Sequence, residues 1–399
     1  MSLSQLAKSI SESPTLKLNE TAALLRDKGE PVIHLGGGEP KSKAPIDAIV
    51  SCASLLSTGD VKYTPADGIP ALKKAIIRYT EEHYGRTAAA ENVIASSGAK
   101  QSIMVLLHAI LDPKEEVIFP VPYWVSYPEM VKLAGGVPVP VAALNGGFEP
   151  SVQEIAENIG IYTKAIIINS PNNPGGHAYS PAELKDLAEV AAKHPHLIVF
   201  SDEIYEKLVF DGLKSVSFAT LHPDLIERTL TFNCHSKTFA MTGWRIGYIG
   251  GPKPVIDAIN KLPSQMTSHI TSFTQVPAAL ALTDPRGAES AEQMRRQFEK
   301  RARHIWQRLT ALPNITCVRP QGAFYAFPNV SAYFGKTIGQ TRIADAVSFS
   351  AALLEHNHVA VVPGNDSGFD THVRLSFATS MEQIDKGVDR IGDFLKKLG

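Results

Sequence analysis

Four places in this sequence put reactive side chains directly after short apolar runs. Residues 229–233 lead into Cys234-His235-Ser236-Lys237, with Arg245 eight residues beyond the lysine. An amine in that position can serve as a nucleophile or base, although a lysine after a strand is more often a solvated loop residue. Residues 197–200 run into Ser201-Asp202-Glu203-Ile204-Tyr205, a carboxylate followed three residues later by a phenol. Taken alone, Asp202 reads equally well as a helix N-cap.

The run 165–168 ends in Asn169-Ser170-Pro171-Asn172-Asn173-Pro174-Gly175-Gly176, where prolines and glycines fix the backbone and leave amides as directional donors and acceptors. Residues 93–95 end in Ser96-Ser97-Gly98-Ala99-Lys100 before a helical pattern, so small residues there let an anion approach free helix amides. Arg374 stands in Val373-Arg374-Leu375-Ser376-Phe377, where alternation turns it away from the apolar face; this is either an exposed strand face or a fork for a carboxylate.

The elements that must position these groups follow a clear rhythm. Strand-like runs at residues 92–95, 116–119, 165–169 and 197–201 alternate with amphipathic stretches at 99–111, 124–134 and 181–193. Such alternation predicts a mostly parallel sheet between helices, with ligands collecting beyond the carboxyl ends of the strands. From residue 289 the order changes to a long charged helix (289–312), strands at 315–318 and 323–327, a helix near 343–356, and strands at 359–362 and 372–377. A helix at 19–28, capped by Asn19 and stopped by Gly29, is expected to pack on that C-terminal part. The predicted organisation is therefore a large domain over 45–285 and a discontinuous smaller α+β domain made of 1–44 and 286–399.

Composition narrows the functional classes. With 399 residues, 44% hydrophobic and 20% charged, the chain can build two substantial cores. Lys plus Arg number 39 against 40 Asp plus Glu, which offers no general attraction to nucleic acid or anionic membrane. Cys52, Cys234 and Cys317 lack the spacing of a zinc or redox motif, so no metal is expected. Residues 1–10 show no leader pattern and 103–111 is too short to span a bilayer, which predicts a soluble, cytoplasmic protein.

A lysine nucleophile, a carboxylate, a phenol, an amide and an anion cradle together form the set that pyridoxal 5′-phosphate (PLP) chemistry requires. With Tyr63-Thr64-Pro65-Ala66-Asp67-Gly68, Pro122-Tyr123-Trp124-Val125-Ser126-Tyr127-Pro128 and Gln321-Gly322-Ala323-Phe324-Tyr325 in the same order, the chain resembles the fold-type I, class I aminotransferases, near the bacterial aspartate aminotransferases.

The resemblance covers nearly the whole chain and implies roles. Lys237 would hold the cofactor aldehyde as a Schiff base and act as the base. Asp202 would pair with the pyridine nitrogen, Tyr205 and Asn173 with the ring hydroxyl, and Trp124 would stack on the ring. Ser236, Arg245 and the amides at Gly98, Ala99 and Lys100 would hold the phosphate, with Tyr63 arriving from a second subunit of a homodimer. Arg374, Gly38, Asn173 and Trp124 would meet the substrate, and Lys100 with Thr15 would recognise a distal carboxylate. The implied reaction moves an amino group between an L-amino acid, aspartate or glutamate first, and a 2-oxo acid such as 2-oxoglutarate. Aromatic amino acids, prephenate, or a PLP β-lyase reaction are the alternatives. Three departures from the pattern stand out: Gly175 replaces a usual threonine, Cys234 a small or hydroxylated residue, and Lys41-Ser42-Lys43 a more acidic and aromatic stretch.

Overall fold

A computed structural model describes residues 3–10, 14–85, 87–144, 146–148 and 152–398, leaving aside the side chains of 14–17 and 19. Its centre is a seven-stranded sheet in the order Val93–Ser96, Gly247–Gly250, Thr229–Cys234, Ile198–Asp202, Thr163–Asn169, Glu116–Pro120, Val137–Val141. All neighbours pair in parallel except Gly247–Gly250, which runs against both of its partners.

The apolar runs are continuous because both sheet faces are covered. Within Thr163–Asn169, Ala165 and Ile167 join a core with Phe119, Phe200 and Phe232, whereas Ile166 and Ile168 join another with Val199, Leu184 and Leu187. Each face is one side of the two-residue strand period. At roughly 25 cal/mol per Å² of apolar surface removed from water, such double-sided burial is the main force holding the layers together. Helix Pro181–Ala192 enters from a capping box in which Ser180 accepts from the Glu183 amide and the Glu183 carboxylate accepts from the Ser180 amide.

Register determines what reaches the rim. Asn169 lies opposite Asp202, and Asp202 opposite Phe232, two residues before Cys234, so the polar ends of three strands share one edge.

A further core gathers Phe298, Ile305, Phe324, Leu375, Phe377, Val388 and Phe394. Helices Pro285–Thr310, Ala346–Asn357 and Met381–Lys397 supply much of it, over an antiparallel sheet of Tyr325–Ala326, Val373–Ser376 and Val362–Pro363. Near the other terminus, Ile33–His34 pairs in parallel with Val359–Ala360, so the two ends of the chain share this layer. The first long helix spans Pro14–Asp27, starting five residues before the expected Asn19, since proline at a first helical position loses no needed hydrogen bond. Two strands of the central sheet escaped the sequence pattern. Val137–Val141 contains Pro138 and Pro140, which an edge strand tolerates, and Gly247–Gly250 is short and glycine-bounded.

Among the described residues, no helix is long and apolar enough to cross a membrane, and no cluster of three or more His, Cys, Asp or Glu could hold a metal ion.

Candidate active site

Lys237 sits on the single turn His235–Thr238 that follows strand Thr229–Cys234. The turn is anchored from below, because the buried His235 ring meets the Ala278 carbonyl at 2.9 Å. Lys237 Nζ donates to the Gly38 carbonyl at 2.6 Å, joining the sheet edge to the loop that follows the N-terminal strand Ile33–His34 of the other layer.

Asp202 ends its strand 1% exposed. Tyr127 donates to its Oδ2 at 2.5 Å and the Ile204 amide approaches Oδ1 at 3.4 Å. Burial pushes the carboxyl up to about 6, against the opposing pull of the Tyr127 hydroxyl, the Ile204 amide and the Lys237 charge. Asn169 fixes the neighbouring turn twice, donating to the Asp202 carbonyl at 3.2 Å and accepting from the Asn173 amide at 3.0 Å.

Arg374 is buried, over the ring of Tyr325 at 4.6 Å. Its guanidinium donates to Asn173 Oδ1 at 3.0 Å and to the Gly36 carbonyl at 3.1 Å, and its Nε is buried without a partner. With two neutral acceptors the cation has no counter-charge among the described residues, a setting suited to an incoming carboxylate. Tyr205 meets the Tyr325 hydroxyl at 3.2 Å, and burial, then Tyr325, drive its pKa well above the ordinary phenol range.

Arg245 is exposed and held by backbone, donating to the Thr242 carbonyl at 2.9 Å and the Ser97 carbonyl at 3.0 Å. It adopts φ 56°, a left-handed conformation uncommon for a side-chain-bearing residue. Gly98, at φ 90°, lies beneath it: an added Cβ would come 2.4 Å from Arg245 Nη2. Helix Ala99–Ile110 begins there with its first amides free. Lys100 lies 4.8 Å from the Trp124 ring centre, and loss of hydration, then the Arg245 charge, lower its pKa.

These groups surround one cavity of about 770 Å³, lined by Lys237, Asp202, Tyr205, Asn173, Arg374 and Trp124, and also by Gly38, Ala99, Lys100, Ser236 and Arg245. Tyr63 does not line it and is 89% exposed. Thr15 lies in a helix, and its side chain falls outside the described residues.

The same architecture occurs in known proteins. The family model for aminotransferase class I and II matches residues 30–391. Aspartate aminotransferase of Geobacillus stearothermophilus is 45% identical over 99% of both chains. The aspartate/prephenate aminotransferase of Cereibacter sphaeroides is 41% identical over 96% of each. The crystal structure of the aspartate aminotransferase from Rhizobium meliloti superimposes with a TM-score of 0.95 at 37% identity, covering 100% of both chains.

The chain belongs to the class I and II aminotransferases.

As an aminotransferase it has the expected α/β architecture of fold type I, and its cavity contains groups that the sequence reading left without a task. Tyr127 and Tyr325 fall in stretches that carried the resemblance, yet nothing in their spacing showed that one would bond Asp202 and the other Tyr205. Asn169 was legible only as a strand end. Gly36 accepts from Arg374, and Gly38, which also lines the cavity, accepts from Lys237. Cys234 and Lys41 line the cavity of this aminotransferase, with Lys41 paired to Glu39 at 3.2 Å.

Proposed function

We propose that this aminotransferase uses PLP to move the amino group of L-aspartate or L-glutamate to a 2-oxo acid such as 2-oxoglutarate. The observation that carries this reading is one cavity holding an amine, a buried carboxylate and a buried arginine, neither of the last two in an ion pair among the described residues. The fit to the cofactor rests on two features. Asp202 has room in its chemistry for a protonated ring nitrogen, whose charge would bring the carboxyl back down from about 6. Gly98 leaves the guanidinium of Arg245 and the first amides of helix Ala99–Ile110 clear for a phosphate, where any Cβ would intrude.

PLP, when bound, supplies an aldehyde that exchanges amino groups and a ring that takes up the electron pair freed at the substrate α-carbon. Lys237 would hold that aldehyde carbon and, once displaced by substrate, carry the proton between the α-carbon and the cofactor carbon. Asp202, oriented by Tyr127, would keep the ring nitrogen protonated. Tyr205 and Asn173 would bond the ring hydroxyl oxygen, and Trp124 would cover one ring face. Ser236, Arg245 and the amides of Gly98, Ala99 and Lys100 would bind phosphate, joined by Tyr63 from the partner of a homodimer. Arg374, with Asn173 and the Gly38 segment, would take the α-carboxylate; Lys100, with Thr15, would take the distal one. The domain division at 45–285 against 1–44 with 286–399, and a cytoplasmic location, belong to the same reading. Prephenate is a second amino acceptor, favoured by the name of the Cereibacter sphaeroides relative.

Borohydride reduction of the cofactor-loaded protein, then peptide mapping, should place one pyridoxyl group on Lys237. Aspartate should then convert the unreduced protein to its amino form, reversed by 2-oxoglutarate. A pyridoxyl group on Lys100 would refute the assignment, and conversion by phenylalanine but not aspartate would refute the substrate.

A further inference from the structure

Gly175 and His177 explain each other. Gly175 has φ in a region open to any residue, so its backbone does not ask for glycine; the space does. An added Cβ would stand 2.7 Å from His177 Nδ1 and 3.0 Å from Asn172 Oδ1. The His177 ring is 1% exposed, packed against Phe148 at 5.8 Å and Tyr179 at 5.2 Å between centres, and neither of its nitrogens has a hydrogen-bond partner among the described residues. A buried imidazole with no bond to the described residues acts on its neighbours through its volume.

That volume bears on a turn with no room to retreat. On its other side, a Cβ at Gly176 would lie 2.3 Å from the Tyr325 carbonyl, and the Gly176 carbonyl already accepts from the amides of Gln321 at 2.7 Å and Gly322 at 2.9 Å. Inside the turn, the Gly175 amide donates to Asn172 Oδ1 at 2.8 Å, and Asn172 Nδ2 donates to the Pro122 carbonyl at 3.0 Å, two residues before Trp124. The next residue, Asn173, meets Arg374. Displacement at position 175 therefore passes to the Asn172 amide and to the Asn173–Arg374 pair.

We infer that His177 is a positioning residue: its ring is the wedge that seats the turn at residues 172–176, and Gly175 is glycine to admit it. The inference rests on the proposed role of Asn173 and Arg374 where it touches substrate. Its packing part stands independently.

A double-mutant cycle on the cofactor-loaded enzyme tests it, reading the dissociation constant of succinate, a non-reacting dicarboxylate, and hydrogen exchange across residues 170–178. Gly175→Ala should weaken succinate roughly tenfold, the scale of overpacking a filled site, and deprotect the turn amides. In a His177→Ala background, the same methyl should cost several-fold less in either reading, because the closer of its two contacts is gone and only the 3.0 Å approach to Asn172 Oδ1 remains. His177→Leu, which restores apolar volume without the nitrogens, should bind succinate within about threefold of the parent. Equal effects of Gly175→Ala in both backgrounds would overturn the wedge. So would a His177→Leu enzyme as impaired as His177→Ala, since that outcome would make the nitrogens necessary. Arg374→Leu serves as the control: if it leaves succinate binding intact, the carboxylate reading fails, and the exchange data alone decide the wedge.

Discussion

Asp202 and Arg245 line the same cavity under opposite conditions. Asp202 is buried, bonded by a side chain from another element, and titrates far from its ordinary range. Arg245 is exposed, bonded to carbonyls only, and stands over a glycine that keeps its guanidinium clear. The buried region is assembled by the chain before any ligand arrives, and its chemistry depends on excluded water. The exposed region supplies direction and charge but draws little stability from them, since solvent screens it. Substitution of Asp202 should therefore mainly change rates, and substitution of Arg245 should mainly change binding.

The sharpest break of that comparison is Lys237→Ala. It should reduce turnover on the order of 10⁴-fold, because nucleophile and base are lost together, while the fold and Asp202 stay in place. Single-turnover rates with aspartate would measure it, and a loss below tenfold would move the chemistry elsewhere. Asp202→Asn comes next. The variant should retain cofactor yet lose roughly 10²–10³-fold in the proton-transfer rate, as when one preorganised electrostatic group is removed. A near-parental rate in a fully loaded variant would contradict the proposed pairing with the ring nitrogen.

Legibility in the sequence divides along the same line. The parallel sheet could be read because both faces are buried, so strands such as Thr163–Asn169 appear as unbroken β-branched runs. Lys237, Asp202 and Asn173 could be read because each follows such a run at the sheet edge. Tyr127, on helix Ser126–Leu133, and Asn169 could not, since their roles arise from contacts 75 and 33 residues away along the chain. The glycine at position 175 could be noticed but not explained. Its reason is the His177 ring, and no local pattern marks a histidine as filler. The edge strand Val137–Val141 was hidden by its prolines, which argue against a strand wherever its place in a sheet is unknown.

Arg374 and Lys100 sharpen the comparison within the substrate site. Arg374 is buried with an unpartnered Nε, so Arg374→Leu should weaken every amino acid by about the same factor, roughly 10²-fold. A loss confined to acidic substrates would instead give it the side-chain role. Lys100 is exposed beside Trp124, and Lys100→Ala should lower kcat/KM for aspartate by about 10- to 150-fold, the worth of one charge-assisted hydrogen bond. Alanine as substrate should change far less. Equal losses for both would return Lys100 to the phosphate.

The smallest expected effect concerns what the buried region does to stability. Next to Asp202, Glu203 is 3% exposed. Its Oε1 accepts from Ser201 at 2.7 Å, Ser217 at 3.0 Å and the Phe218 amide at 3.1 Å, while Oε2 is buried without a partner. Burial, reinforced by the Glu206 charge, pushes this carboxyl from 4.5 up to about 7, against those hydrogen bonds. Between these two values the folded protein binds more protons than the unfolded chain, so stability falls as pH rises through the window and the full penalty is present above it. Glu203→Gln cannot titrate and keeps an acceptor for the same three donors. Relative to the parent, it should gain about 1–3 kcal/mol on going from pH 5 to pH 8, read from urea unfolding of the cofactor-loaded protein. Substituting an exposed acid such as Glu382, which sits beside Lys386, should give no comparable difference in slope. Parallel pH profiles for parent and Glu203→Gln would mean that the carboxyl is hydrated in solution, and that the buried side of the site is wetter than its geometry indicates.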